Sequence, residues 1–269
     1  MEGLIIRPSE VMLGLGIVLV TGASFFIMQS VFNMANTLQN RYIELVPYTA
    51  SSDDKQIVFT QDASSDPNAK PILASDNERT GIEFAYSFYL MVNETNFDGT
   101  DNLHPVFYKG YSNSIWPLQA PGVFVKGNTN TLRVVMSSFK DAYNYIDIEN
   151  IPVNKWFHVV LNFQNLALEV YINGKIVKKL NFNDTLPYMN YQNLIVFPNN
   201  TSTDIVRPNL PTIHYSTCVK GKISNLVYTR YALSVNEIQN FYSRGVSTVT
   251  KAPKSQEAPP YFADSWWNQ

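Results

Sequence analysis

The chain has 269 residues, 45% of them hydrophobic and 16% charged, with a formal net charge of −2. That length holds one large all-β domain or two small ones, and the charge balance offers no basic field for phosphates, which excludes nucleic acid as an expected partner. A single cysteine, Cys218, forbids an intrachain disulfide and points to a reducing compartment or to a core large enough to manage alone. Sixteen Tyr and sixteen Phe favour β-structure, while 28 Asn and a Lys to Arg ratio of 13 to 7 suggest an AT-rich genome.

No charged residue falls between Glu10 and Arg41, and Val11 to Phe32 reads VMLGLGIVLVTGASFFIMQSVF. At about 1.5 Å per residue this run crosses a bilayer core of roughly 30 Å as a helix. It is expected to anchor the protein in lipid through residues 11–32, with Val11, Leu13, Leu15, Ile17, Val18, Leu19, Phe25, Phe26 and Ile27 facing the acyl chains. A cleaved signal peptide is the rival, but its leader MEGLIIRPSE carries two acids against one Arg, and its core would exceed the usual 7–15 or so residues. A buried core helix is disfavoured because the run is apolar around its whole circumference. Arg7 with the amino terminus on one side, and Arg41 with Lys55 on the other, leave the orientation of this single-pass arrangement open.

Residues 41–80 shift to Ser, Asp, Asn and Pro, broken by Ile57-Val58-Phe59 and Pro71-Ile72-Leu73. They read as a stem donating one edge strand. From Gly81 to Val92 (GIEFAYSFYLMV), Ile82, Phe84, Tyr86, Phe88 and Leu90 alternate with smaller or polar residues, which predicts a strand. More strands are expected at 105–109, 122–126, 131–137 and 145–149. Between Asn154 and Leu180 the alternation runs through two successive segments. Phe157, Val159, Leu161 and Phe163 share one face, Leu166, Leu168, Val170 and Ile172 do the same on the next strand, and Asn173-Gly174 supplies the positive φ angles of a two-residue turn. A half-buried antiparallel meander is predicted. Segments 193–197 and 222–229 bring the total to about a dozen strands, which means a sandwich.

The period changes once. Ser234 and Glu237 form a capping box, Leu233 and Ile238 are placed for a hydrophobic staple, and Gly245 marks a stop, so a helix is expected over about 235–243. The end of the chain is a Pro-rich linker followed by YFADSWWNQ, whose Tyr261, Phe262, Trp266 and Trp267 either pack back on the sandwich or dock into a protein partner or the bilayer interface.

Chemistry is sparse along this chain. His104, His158 and His214 lie far apart with no Cys pair, which gives a zinc site little support, and Cys218 reads as a packed thiol. Asp98-Gly99-Thr100-Asp101-Asn102 and Asp62 to Asp66 carry oxygens suited to calcium, but solvated turns are the favoured reading and no cofactor is expected. Sequons at Asn93, Asn183, Asn199 and Asn200 matter only in a secretory lumen.

Trp156 and His158 at the entrance to the meander, with Tyr171, Asn173 and Gly174 at its hairpin, resemble the laminin-G-like and pentraxin-like branch of the concanavalin A-like sandwiches. GKISNLVYTRYALSVNEIQNFYSRG resembles the closing segment of laminin-G-like domains. With GIEFAYSFYLMV and VFYKG, the resemblance covers about residues 81 to 245 in the family's order. It implies an all-β, concanavalin A-like antiparallel β-sandwich (jelly roll) with one short helix, beside the N-terminal transmembrane helix. The expected organisation is 1–40 anchor, 41–80 stem, 81–246 sandwich and 247–269 tail.

Glucanases of this superfamily use acids alternating on one strand, and Asp147 and Glu149 alternate that way. Their pattern is Glu-x-Asp-x-x-Glu, however, and Tyr145 and Asn150 stand at the outer positions, so the glutamate pair for retaining hydrolysis is missing. The membrane-tethered laminin-G-like layout, the AT-biased composition and the phrase SDNERTGIEFAYSF resemble those of proteins of large DNA viruses, which implies a place on an internal virion membrane. The expectation is a non-enzymatic structural or binding protein linking a membrane to a protein partner. A glycan-binding lectin-like module and a divergent glycosidase are the alternatives.

Overall fold

A computed structural model of the protein describes residues 8–39, 42–64, 66, 69–75, 82–164, 166–182, 185–199 and 202–250. It has two compact units, divided between Tyr42 and Ile43. The first is a single helix, α1 (Pro8–Gln39), in which Gly14–Phe32 is long and apolar enough to cross a membrane; the same length and composition also fit a signal sequence. None of that stretch is buried against protein. Leu15, Ile17, Val18, Leu19, Phe25, Phe26 and Ile27 are all exposed, whereas the side chains of Val11 and Leu13 lie outside the described set. Its hydroxyls turn back on the helix: Thr21 Oγ1 donates to the Ile17 carbonyl, Ser24 Oγ to Val20 and Ser30 Oγ to Phe26, at 2.8–2.9 Å. Such internal bonding is what a hydrocarbon surrounding demands of a polar side chain.

The second unit is an all-β antiparallel sandwich of the jelly-roll class. Sheet A has the order β1 (Tyr42–Ser51), β14 (Gly221–Thr229), β3 (Phe84–Val92), β8 (Trp156–Gln164), β9 (Ala167–Ile172) and β10 (Lys175–Asn181). Sheet B has the order β12 (Thr203–Arg207), β13 (Leu210–Tyr215), β4 (Asn102–Lys109), β5 (Gly122–Lys126), β6 (Leu132–Met136) and β7 (Asn144–Ile148). Strand β11 (Leu194–Val196) also pairs with β4, and β2 (Ile57–Phe59) pairs with β11. Residues 42–59, expected as stem with one edge strand, thus carry β1 and β2.

The main core lies between the sheets and is rich in rings. Phe84 stacks on Phe163 with centroids 4.2 Å apart, and Phe88 of sheet A meets Phe107 of sheet B edge-on at 5.1 Å. A bulge between Pro105 and Phe107 on β4 sends both Val106 and Phe107 inward, leaving Leu103 and Tyr108 on the outer face. Lys109 is buried as well, and its ammonium donates to the carbonyls of Asn190 and Gln192, clamping that loop to the strand. Burial without a carboxylate partner brings its pKa down to about 8.

The meander differs from its expected form in two respects. Leu166 does not sit on β9; it occupies the β8–β9 turn with φ of 58°, and β9 begins at Ala167. Strand β8 is buried on both faces rather than one, because helix α2 (Val235–Arg244) and the segment leading into it cover the outer face of sheet A. Asn162, 0% exposed, pins that segment, its amide accepting from Leu233 N at 2.8 Å and donating to Leu233 O at 3.2 Å. Ser234 and Glu237 complete the capping box, and buried Ile238 and Phe241 each contribute about 1.5–3 kcal/mol of apolar burial. The hairpin turn is as expected, with φ of 50° at Asn173 and 75° at Gly174.

Beneath α2, Ser87 of β3 and His158 of β8 share a hydrogen bond of 2.8 Å, Oγ to Nε2, while His158 Nδ1 is buried without a partner. Burial pushes the imidazole down to a pKa of about 4, so it stays neutral in the folded protein. An unfolded chain protonates the same group near 6.5. Between about pH 6.5 and pH 4 the unfolded state therefore binds the extra proton, and stability falls as pH falls.

Two outcomes are expected. Deleting residues 1–40 leaves β1 intact and yields a folded β-domain that stays in solution without detergent; aggregation without a β signature in circular dichroism refutes this. Urea unfolding of that shortened chain loses roughly 3 kcal/mol through His158 between pH 6.5 and pH 4. In His158→Gln this loss disappears, and an unaltered pH profile in the variant rules the assignment out.

Candidate functional site

Sheet B carries a second apolar cluster on its outer face, made of Leu103, Tyr108, Phe124, Val135, Tyr143 and their neighbours. The β12–β13 hairpin and the 111–121 loop cover much of it, Ile205, Ile213 and Tyr215 packing down from the hairpin and Ile115 and Trp116 from the loop. The hairpin turns at Pro208-Asn209, with φ of 59° at Asn209, and β13 joins β4 in parallel over only two residue pairs. Where the hairpin stops short of β6 and β7 a cleft of about 430 Å³ remains, lined among others by Arg133, Asp141, Tyr143, Tyr145, Arg207 and His214.

Strand register positions its principal groups. Arg133 on β6 stands opposite Asp147 on β7, and the two meet in a bidentate pair with Nε to Oδ1 at 2.7 Å and Nη2 to Oδ2 at 2.6 Å. Burial alone would lower the Arg133 pKa, but Asp147 and Tyr143 together more than offset it and the guanidinium stays charged. Its plane lies over the ring of Tyr145, 4.1 Å from the centroid, and Tyr145 is still 45% exposed. Tyr143 lies 5.4 Å from Tyr145, centroid to centroid, and Arg207 caps Tyr143 at 4.8 Å. Burial raises the Tyr143 pKa although both guanidinium groups pull the other way. The result is two rings, each covered by a fixed cation, at the wall of one cleft.

Among the described residues the acids that line the cleft are Asp101 and Asp141, both engaged in polar contacts. Asp141 is exposed and accepts from Tyr143 N at 2.9 Å; Asp101 is exposed and lies 3.5 Å from Lys126. The alternating pair considered for hydrolysis does not act together. Asp147 is held by both oxygens to Arg133, while Glu149 lies beyond the end of β7 and faces Lys178 of β10 at 3.6 Å.

The other sequence candidates are scattered. His104 Nδ1 lies 3.1 Å from the Thr217 carbonyl, and His214 Nδ1 lies 2.8 Å from Asp204. His158 and Ser87 line a separate cavity of about 180 Å³ under α2, but at 1% and 2% exposure neither is reachable by a substrate. Burial raises the Cys218 thiol pKa, which keeps it a poor nucleophile. In both candidate calcium loops the leading Asp is engaged within its own turn. Asp98 Oδ1 accepts from the Thr100 hydroxyl at 2.6 Å and Thr100 N at 2.9 Å, and Asp62 Oδ1 accepts likewise from Ser64. No group of three or more His, Cys, Asp or Glu able to hold a metal occurs among the described residues. Tyr261, Phe262, Trp266 and Trp267 lie outside the described residues.

Sequence reading did not find Arg133, Tyr143 or Arg207. The hairpin had a usable signal: TDIVR and LPTIHY flank Pro-Asn, two short strand-like runs around a turn dipeptide. Arg133 opposite Asp147 had none, because cross-strand register is not written in one sequence.

No protein-family model matches the chain, and no curated protein matches it. Solved structures similar to it include receptor-binding domains of botulinum neurotoxins. That of neurotoxin D is 13% identical, with a TM-score of 0.49, the match covering 73% of this chain and 43% of that one. That of type G is 18% identical, with a TM-score of 0.43, over 60% and 38%. A structure of type C, whose cell entry depends on interaction with two ganglioside molecules, is 14% identical, with a TM-score of 0.46, over 73% and 42%. The chain spans less than half the length of each, and its sandwich assignment rests on its own strand pairing.

Proposed function

We propose that this protein is a non-enzymatic binding protein, held to a membrane by α1, whose sandwich takes a saccharide in the cleft beside the β12–β13 hairpin. The observation that carries this reading is the convergence of Tyr143, Tyr145, Arg133 and Arg207 on that cleft. An exposed ring with fixed donors around it is the surface on which a sugar ring stacks while its hydroxyls bond. The engagement of Asp147 by Arg133 supports a role without hydrolysis, and the unburied apolar length of α1 supports the anchor.

A second reading, a structural link to a protein partner through the sandwich surface and residues 261–267, is supported by the exposed apolar tip of the hairpin, where Val206 is 79% and Leu210 58% exposed. Membership of the laminin-G-like branch and a place on an internal virion membrane rest on the sequence phrases alone.

Two measurements test the proposal. The full chain in detergent, applied to an array of saccharides, should retain at least one, and Tyr145→Ala should weaken it about tenfold, as the loss of a stacking ring does, while the loss of its contact with Arg133 lowers the melting temperature by only a few degrees. An array with no retained saccharide overturns the reading. Asp147→Asn distinguishes binding from hydrolysis. As a structural clamp its loss leaves Arg133 with a weaker partner and costs about 1–3 kcal/mol of stability. A hydrolytic activity in the native chain, abolished by the same substitution at unchanged stability, would make the protein an enzyme.

A further inference from the structure

Charges around the cleft mostly cancel in pairs. Among the groups that line it, Arg133 is matched by Asp147 and Asp101 by Lys126 at 3.5 Å, while Asp204, 2.8 Å from His214 Nδ1, does not line the cleft. Two groups are left over, one of each sign. Arg207 has no carboxylate partner among the described residues. Of its guanidinium nitrogens, Nη2 donates to the Pro211 carbonyl at 2.8 Å, Nε is buried without a partner, and Nη1 makes no hydrogen bond among the described residues. Asp141 has no cation within ion-pair distance among the described residues, and its Oδ1 accepts only from Tyr143 N. Both line the same cleft, yet they do not pair with each other.

An Arg with unused donors over a buried ring is an incomplete arrangement, since guanidinium groups are most stable when their fork meets a planar anion. Tyr143 holds the Arg207 guanidinium from below at 4.8 Å, which fixes its plane before any ligand arrives. A ligand that fills the gap must present an anion to Arg207 and hydrogen-bond donors, without a second negative charge, to Asp141. A bare phosphate or sulfate meets the first demand and is repelled by the second. A neutral sugar meets the second and leaves the first unanswered. A sugar ring bearing one carboxylate and several hydroxyls meets both.

Resting on the saccharide reading given above, we propose that this cleft is selective for a carboxylate-bearing sugar, a uronic or sialic acid residue, with Arg207 as the carboxylate receptor and Asp141 as the acceptor for its hydroxyls. Tyr145 supplies the face for the ring. Selection resides in Arg207, because a charge-assisted contact adds to affinity where the neutral analogue leaves the guanidinium unanswered.

The test uses the full chain in detergent and calorimetric titration with four probes: a sialylated trisaccharide, its neutral parent disaccharide, glucuronic acid and inorganic phosphate. At least one acidic sugar is expected to bind about ten- to a hundredfold more tightly than both the neutral disaccharide and phosphate. Arg207→Gln should bring the acidic sugar down to the level of the neutral one. Lys222→Gln, which removes a positive charge from sheet A, should preserve the preference. Should Arg207→Gln fail to fold, the native chain still decides. Raising salt from about 0.05 to about 0.5 M shortens the screening length from roughly 14 to 4 Å and should weaken the acidic sugar severalfold more than the neutral one. Equal binding of acidic and neutral sugars overturns the selectivity while leaving the saccharide reading intact. Phosphate binding as tight as the acidic sugar overturns the role of Asp141. Failure of every saccharide to bind sinks both.

Discussion

Burying a β-sheet on both faces forbids any polar atom on its central strands from turning to water, and strands β3 and β8 meet that condition along nearly their whole length. Everything packed against sheet A follows from it. Ser87 and His158 satisfy each other, Asn162 grips the backbone of Leu233, and α2 begins two residues later under its capping box, so the polar side chains of the strands are also what seats the helix. A substitution at Asn162 would thus be felt in the helix as much as in the strand. The cost of one buried, unpartnered nitrogen on His158 is tolerated because the ring stays neutral.

Sheet B solves the same problem differently. Its outer face is closed by a hairpin and a loop rather than by a helix, and a hairpin two strands wide does not reach across to β7. The uncovered margin is where alternation places Arg133 and Tyr145 on the outside, with Leu132, Val134 and Ile146 on the inside. The cleft is therefore a consequence of incomplete coverage, and its rigidity comes from the bidentate pair across β6 and β7. Rings and guanidinium groups that would be unstable singly at such an edge hold each other in place.

Much of the fold was legible because it depends on local signals. Period-two alternation marked β3, β8 and β9, Asn173-Gly174 marked the hairpin, and Ser234 with Glu237 marked the start of α2 within a residue. What escaped depends on the third dimension. Alternation distinguishes two faces but does not say whether one is wet, and the meander, half-buried by its pattern, is covered on its second face by α2. Leu166 looked like a core residue because its neighbours at two-residue spacing are core residues, yet the turn needed a left-handed position there. The site was less legible still. Tyr145 and Asp147 were noticed for their place in an acidic pattern, whereas their partners Arg133 and Arg207 come from strands that meet them only after folding.

The free edge of sheet A is β10, where Lys175, Lys178 and Lys179 stand along one short strand and a register shift falls between Ile176 and Lys178. Edge strands invite pairing with another chain, and tethering to lipid would make that worse, because copies confined to a plane meet far more often than copies in bulk. Two such edges brought together would meet across a hydrogen-bond ladder broken between Ile176 and Lys178, with Lys178 and Lys179 already engaged by Glu149 at 3.6 Å and Glu169 at 3.0 Å. The broken ladder and the flanking lysines thus make β10 a poor template for a second strand, although Ile176 and Val177 offer apolar surface between the charges.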